Sequence, residues 1–271
     1  MIMIAKMSME LIEKPGEFEN RFSRWGGNEN LSNYPFIENV YAPFSPAKRA
    51  LPMTNLALIT SAGAYIDGTE PFDTIARDGD VSFREIPIEV EAEDLRYAAR
   101  GYDPKFVQED MNAQIPVERL LGYEANGVIG KLNNVWWTMN GFIPNAAKVA
   151  EEMAPKIAER VNRYGCQAAL LIPASRLCHQ TLGLVARAIE QTGIPTMMIA
   201  VERQIADKVR PPRTAFYDGE FGCVAGKPNW KEYQLRVLDE SIRWIETLDQ
   251  PVVRKLAVDL ETETETERGE R

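Results

Sequence analysis

Short apolar runs alternate with amphipathic stretches along the middle of the chain. Residues 56–60 (Leu-Ala-Leu-Ile-Thr), 168–172 (Ala-Ala-Leu-Leu-Ile) and 194–201 are mostly apolar and show no regular polar alternation. Runs of this length and type are typical of strands that are buried on both faces of a parallel sheet. The sequence therefore predicts three central strands at these positions.

Helical periodicity fills the stretches between and after these strands. From Ala146 to Tyr164, apolar side chains recur at every fourth residue: Val149, Met153, Ile157 and Val161. Pro155 lies inside this stripe and predicts either a kinked helix or two helices that meet there. Apolar positions at 182, 185, 186 and 189, followed by Gly193 as a C-cap, predict the next helix. A terminal helix is predicted over residues 230–248 from its apolar face.

Strand, helix and strand follow one another closely between residues 168 and 201, which is the order of a βαβ unit. We therefore predict an α/β fold, a mainly parallel sheet with Rossmann-like βαβ units flanked by helices. The ends of the chain differ from this middle region. Residues 1–50 are rich in Pro, Gly and aromatic side chains, and we expect an arm that wraps a domain or a neighbouring subunit.

Residues 51–250 form the predicted α/β domain, either as one unit or as two lobes at about 51–145 and 146–250. Residues 251–271 end in alternating Glu and Thr without apolar side chains, and this composition is typical of a disordered acidic tail.

Composition restricts the partners and the chemistry. The 271 residues carry 31 Lys and Arg against 40 Asp and Glu, a net charge of −9, so we expect neither nucleic acid nor a membrane as partner. No apolar segment reaches the ~18 residues of a membrane span, and the start lacks a cleavage site, so we expect a cytoplasmic protein. Three widely spaced Cys and a single His exclude a disulfide framework and a poly-histidine metal site. There is no Gly-x-Gly-x-x-Gly motif or P-loop, and we assign neither a metal nor a cofactor.

The loop after the strand at 168–172 concentrates reactive groups. Ser175, Arg176, Cys178 and His179 bring a hydroxyl, a guanidinium, a thiol and the only imidazole together where a helix is predicted to start. Free N–H groups and the dipole at a helix N-terminus favour a thiolate, so we expect Cys178 to ionise more easily than a free cysteine. The alternative is that Cys178 packs in the first helical turn and His179 only caps it.

Other candidates lie at similar positions. Ser61 and Gly63 follow the first predicted strand and offer hydroxyl and N–H groups to a ligand. Arg84 is a candidate for binding a substrate carboxylate, with Glu85 as a proton carrier, although the pattern favours a structural turn with a surface ion pair. Cys223 lies in a glycine-flanked loop, and facing Cys178 it would form a redox pair or a two-thiol acid/base pair; the alternative is an isolated buried thiol.

Residues 173–183 (Pro-Ala-Ser-Arg-Leu-Cys-His-Gln-Thr-Leu-Gly) resemble the signature loop of the selenoprotein B family, the B subunits of glycine, sarcosine, betaine and D-proline reductases. Segments that resemble the family follow in the same order over roughly residues 40–245, among them 61–63, 84–87, 116–120, 141–144 and 193–196. The resemblance implies reductive cleavage of a carbon–nitrogen bond, in which a selenocysteine or cysteine attacks the carbon next to a carboxylate and a thiol three positions later resolves the product.

Carried over to this chain, the attacking position falls on Ser175 and the resolving position on Cys178. A serine hydroxyl has no accessible oxidised state and is a poor nucleophile toward saturated carbon. Many family members also carry His-x-His-Tyr-Asp where this chain has Ala-Arg-Gly-Tyr-Asp at 99–103. Both departures point to a relative with altered chemistry.

Three hypotheses follow. The first is an oxidoreductase-like enzyme that uses the Cys178 thiol, with His179 as its proton partner, Ser175 as a hydrogen-bonding remnant and Arg84 as carboxylate anchor, for reductive C–N or C–S cleavage of a small amino-acid-like carboxylate. The second is a catalytically degenerate partner or scaffold subunit. The third is a cofactor-independent two-cysteine racemase or lyase. The resemblance also implies an oligomer with a partner subunit or a thioredoxin-like donor.

Overall fold

The computed structural model describes residues 10–258, and its centre is an eight-stranded sheet. The strands are β1 (Asn55–Thr60), β2 (Ala64–Ile66), β3 (Arg84–Pro87), β4 (Leu95–Tyr97), β5 (Lys131–Leu132), β6 (Val135–Thr138), β7 (Ala168–Ile172), β8 (Thr196–Ala200), β9 (Arg213–Phe216) and β10 (Val252–Lys255). The sheet order is β10-β9-β8-β7-β1-β6-β3, with β5 also paired to β1, and β2 and β4 form a separate antiparallel pair.

The α-helices are α1 (Pro15–Arg24), α2 (Lys105–Glu109), α3 (Val117–Ala125), α4 (Ala146–Lys148), α5 (Ala154–Arg163), α6 (Arg176–Gln191), α7 (Arg203–Val209) and α8 (Lys231–Thr247). Short 3₁₀ turns lie at Leu51–Met53, Ala92–Asp94 and Met111–Ala113. All pairings in the large sheet are parallel except that of β3 with β6. The predicted fold, a mainly parallel α/β sheet flanked by helices, is confirmed.

Both faces of the sheet are covered, which explains the unbroken apolar runs. Along β1, Ala57 and Ile59 pack into one apolar core with α5 and α6, whereas Leu56 and Leu58 pack into a second core with α3 and α8. Because each position from Leu56 to Ile59 faces one of the two cores, the sequence shows no polar alternation there. The two possible lobes, about 51–145 and 146–250, both contribute strands to this sheet, because β1 pairs with β7 in register from Leu56 to Thr60.

The helical stripe from 146 to 163 is interrupted by a π-helical turn at Val149–Met153. Pro155 follows it in the first turn of α5, where its missing N–H costs little. A π-turn shifts the hydrogen-bond register by one residue and so accommodates the proline within one helical run. In the structure, α4, the π-helical turn and α5 follow one another directly, so the predicted kink or helix junction is this turn.

The described part of the first fifty residues packs against the domain. The Tyr34 hydroxyl donates to the Pro144 carbonyl at 2.7 Å, and the Ile37 N–H donates to the Gln180 side chain on α6 at 2.8 Å. At the other end, β10 pairs with β9, so ordered structure continues beyond residue 250. Residues 259–271, with the Glu-Thr repeat, lie outside the described residues. None of the helices in residues 10–258 is both long enough and apolar enough to cross a membrane.

Candidate functional site

The carboxyl ends of the two central strands bring Ser61 and the Ser175 loop together. Thr60 at the end of β1 is in register with Ile172 at the end of β7, and the Ser61 N–H donates to the Ile172 carbonyl at 3.3 Å. In open parallel sheets, ligands bind at this edge, where loops lead into helix N-termini. The helix predicted to start in this loop begins at Arg176, with Ser175 as N-cap in an extended conformation.

Two serines surround the Cys178 thiol. Ser175 Oγ accepts the Cys178 N–H at 3.3 Å, as an N-cap side chain does, and lies 2.8 Å from Cys178 Sγ, to which it donates. Ser61 Oγ accepts the Ala174 N–H at 2.9 Å, and its carbonyl lies 4.0 Å from Cys178 Sγ. The Ser175 hydroxyl therefore serves both as the helix cap and as a hydrogen-bond partner of the thiol.

Burial dominates the ionisation of Cys178. The residue is 1% exposed, and desolvation raises the pKa of its thiol above the usual value, although hydrogen bonds from Ser175 and Ser61 act in the opposite direction. The expectation that Cys178 ionises more easily than a free cysteine is wrong for this buried thiol. The helix N-terminus is present as predicted, but the loss of water outweighs it.

Both ring nitrogens of His179 are hydrogen-bonded to backbone groups. Nδ1 lies 2.7 Å from the Ser175 carbonyl, which only accepts, so Nδ1 carries the proton. Nε2 accepts the Val201 N–H at 3.1 Å. Burial lowers the pKa of His179 to about 4, and the Ser175 contact offsets this only partly. His179 is thus a neutral structural link between α6 and the end of β8, which contradicts its predicted role as the proton partner of Cys178.

Gly141 makes close packing around the thiol possible. A Cβ at this position would lie 2.4 Å from the Ser61 Cβ and 2.9 Å from Cys178 Sγ, so a larger residue does not fit without movement. Thr181 Oγ1 donates to the Gly141 carbonyl at 2.7 Å and holds this backbone against α6. No local pattern assigns Gly141 a role in the site, because its contacts are with Ser61, Cys178 and Thr181, which are all distant in the sequence.

The segment 98–103 covers the site from the other side. Gly101 has φ +79°, and a Cβ there would lie 3.3 Å from Ser175 Oγ. The Tyr102 hydroxyl donates to the Ala62 carbonyl at 2.6 Å, and burial and the neighbouring Cys178 raise its pKa. Ala98 donates its N–H to the Gly63 carbonyl at 2.9 Å. The segment 98–103 therefore lies against Ser175 through Gly101.

Arg84 and Glu85 are not brought to this site. Arg84 is in register with Thr138 on β6, which places it three strand spacings, roughly 14 Å, from Ile172. Its guanidinium donates to Ser82 Oγ at 3.0 Å and lies 4.4 Å from the Phe72 ring centroid. Glu85 accepts from the Tyr164 hydroxyl at 2.8 Å. Arg84 and Glu85 therefore belong to the strand at the sheet edge rather than to a turn, and Glu85 pairs with Arg160 at 3.6 Å.

Arg176 and Cys223 lie beside the site in different ways. Arg176 is 45% exposed and pairs with Glu202 at 3.5 Å. The loop that carries Cys223 is joined to the Ser175 turn, because the Gly222 N–H donates to the Ala174 carbonyl at 2.9 Å. Cys223 Sγ lies 3.7 Å from the Glu220 carbonyl, and burial raises its pKa to about 12. In the described structure Cys223 is thus a buried neutral thiol on a neighbouring loop.

Among residues 10–258, no three His, Cys, Asp or Glu side chains are grouped to hold a metal ion. Comparison with known proteins complements this geometry. The profile of the family described as glycine/sarcosine/betaine reductase selenoprotein B matches residues 22–174, more than half of the chain. The chain belongs to this family. The matched region ends one residue before Ser175, so the assignment to this selenoprotein B family rests on the scaffold that leads to the Ser175 loop.

Individual selenoprotein B relatives agree with the assignment. The chain is 30% identical over 210 residues to D-proline reductase subunit gamma of Acetoanaerobium sticklandii, covering 75% of this chain and 86% of that protein. It is 27% identical to glycine reductase complex component B subunit gamma of Symbiobacterium thermophilum, over 64% of this chain but only 41% of that relative. Sarcosine reductase complex component B subunit beta of Peptoclostridium acidaminophilum is 26% identical, again with 41% of its length spanned. No solved structure matches the chain.

Proposed function

We propose that this chain is the thiol-bearing subunit of a reductase complex that cleaves a C–N or C–S bond in a small amino-acid-like carboxylate. The observation that carries the proposal is the position of Cys178. Its Sγ lies at the N-terminus of α6, beyond the carboxyl ends of β1 and β7, and 2.8 Å from a serine hydroxyl that donates to it. Thiolates are favoured at such positions once water reaches them.

In the proposed chemistry two donor thiols supply the two electrons of one reduction, and Cys178 is regenerated. The Cys178 thiolate attacks the carbon next to the carboxylate, a C–S bond forms, and the electron pair of the C–N bond leaves with the amine, which takes up a proton. A thiol of a thioredoxin-like donor then attacks Cys178 Sγ. The C–S bond breaks, its electron pair passes to the carbon, which takes up a proton, and a mixed disulfide remains. A second donor thiol releases Cys178.

Reaction requires the closed site to open. Cys178 is 1% exposed, and the segment 98–103 lies over Ser175. Opening would remove the desolvation that raises the pKa of the thiol and leave the Ser175 hydroxyl and the helix N-terminus, which both favour the thiolate. Several relatives are named as components of reductase complexes. We therefore propose that a partner subunit in an oligomeric assembly opens the site.

The test is reduction of D-proline, glycine, sarcosine and betaine by the assembled complex, with a dithiol donor present. Cys178→Ala is expected to abolish product formation. Cys166→Ala is the matched control, because Cys166 is also a buried free thiol but lies at the opposite end of β7. Full activity of the Cys178→Ala complex would refute the proposal.

A second candidate function is a non-catalytic partner subunit. It is favoured by the neutral His179, whose two ring nitrogens are both bound by backbone groups, and by Ser175 at the attacking position. For this function, Cys178→Ala leaves turnover intact while removal of the whole chain disrupts the complex. The same measurement thus separates the two functions.

A further inference from the structure

Arg100 is a charged side chain to which the sequence assigned no role, and it lies on the segment 98–103, which packs against Ser175 through Gly101. Its guanidinium stacks over the Phe142 ring at 4.6 Å from the centroid, and Nη1 donates to the Ala76 carbonyl at 2.8 Å. Only 12% of the side chain is exposed. Stacking and one strong hydrogen bond hold the planar group in a fixed orientation.

The Nε–H of this guanidinium is a hydrogen-bond donor that a ligand can use. Nε is buried and has no hydrogen-bond partner among the described residues. The carboxylate nearest to it is Glu29, at 3.6 Å, and the Glu29 side chain is 76% exposed. An exposed carboxylate at this distance contributes little and is easily displaced. Arginine presents parallel N–H donors along such an edge, and these match the two oxygens of a carboxylate.

Two residues next to Arg100, one in the chain and one in space, link it to the surroundings of the thiol. Gly101, its neighbour in the chain, lies against Ser175, since a Cβ on Gly101 would be 3.3 Å from Ser175 Oγ. Phe142, on which the guanidinium stacks, follows Gly141, where a Cβ would be 2.9 Å from Cys178 Sγ. By contrast, Arg84 is separated from this edge position by three strand spacings.

We propose that Arg100 binds the carboxylate of the substrate and that Glu29 occupies this position in the closed state. The inference rests on the proposed thiol chemistry, because it places the carboxylate beside the carbon that Cys178 attacks. It replaces Arg84, the residue that the sequence suggested, with one on the segment that covers the site.

Alkylation of Cys178 tests the assignment without a known substrate. Iodoacetate presents a leaving group on the carbon next to a carboxylate, and iodoacetamide is its neutral counterpart. The rates of both reagents at the Cys178 peptide are measured by mass spectrometry in the assembled complex, where the site is proposed to open, and their ratio is compared among variants. Arg100→Gln is expected to lower the iodoacetate-to-iodoacetamide ratio roughly tenfold, the size of one charge-assisted contact.

Arg84→Gln is the matched control, because it changes the net charge by the same amount, and its ratio is expected to stay at the wild-type value. Glu29→Gln is expected to raise the ratio, since it removes the competing carboxylate. If the ratio in Arg100→Gln equals that of wild type, the assignment is overturned. This includes the case in which both reagents react equally faster because the segment 98–103 has loosened. A wild-type Cys178 that reacts with neither reagent contradicts the proposed thiol function itself, so the two failures are distinguishable.

Discussion

The buried state of His179 predicts a specific loss of stability in mild acid. His179 is the only histidine in the chain, and burial lowers its pKa from 6.5 to about 4 in the folded protein. Between these two values the unfolded chain binds a proton that the folded chain excludes. The free energy of unfolding therefore rises with pH in this window and falls as the pH drops below 6.5.

The size of the effect follows from the two pKa values. At pH 5.5 the pH is about one unit below the histidine pKa of the unfolded chain, so the unfolded histidine is mostly protonated, whereas folded His179 remains neutral. This difference lowers the free energy of unfolding by about 1.3 kcal/mol relative to pH 7.5. His179→Gln keeps one donor and one acceptor but does not titrate, so this part of the pH dependence disappears in the variant.

Urea unfolding followed by tryptophan fluorescence at pH 5.5 and 7.5 measures the effect in both proteins. Other titrating groups are shared, so their contributions cancel when the two pH differences are compared. We expect wild type to lose about 1.3 kcal/mol more than His179→Gln on acidification. If wild type and His179→Gln lose the same free energy of unfolding on acidification, His179 is not buried as a neutral ring. It would then again be a candidate proton partner of Cys178.

Two further substitutions probe packing and charge by the same unfolding assay. Gly141→Ala is expected to cost ~1–3 kcal/mol, because its Cβ would lie 2.9 Å from Cys178 Sγ, whereas Gly122→Ala, in open space on a helix, is expected to stabilise slightly. Arg213→Met breaks a fully buried 2.7 Å ion pair and is expected to cost about 3 kcal/mol or more, against less than about 1 kcal/mol for Arg163→Met in an exposed pair. Equal effects within either pair of variants would contradict the packing described above.

Local patterns predicted the elements that form the site but not the contacts between them. The continuous apolar runs of β1 and β7 arise because each residue faces one of two cores, so the strands and the helix that begins after Ser175 follow from sequence alone. The edge at which Ser61 and Ser175 meet follows from parallel pairing. These inferences depend only on periodicity and on a general property of such sheets.

The remaining features depend on long-range neighbours. Cys178 sits at a helix N-terminus, which favours a thiolate, but its burial is produced by Gly141 and the segment 98–103, which no local signal places there. Arg84 looked suitable by residue type, yet its distance follows from the antiparallel addition of β3 at the edge of the sheet. Arg100 was overlooked because only the fold stacks it on Phe142.

The claim that Cys178 is the reacting thiol is tested most directly by trapping its adduct. The assembled complex is supplied with glycine, sarcosine, betaine or D-proline while the dithiol donor is withheld, and the Cys178 peptide is examined by mass spectrometry. We predict a thioether that joins Cys178 Sγ to the carbon next to the substrate carboxylate, and its disappearance when the donor is added. Turnover of any of these substrates with Cys178 unmodified throughout would contradict the account.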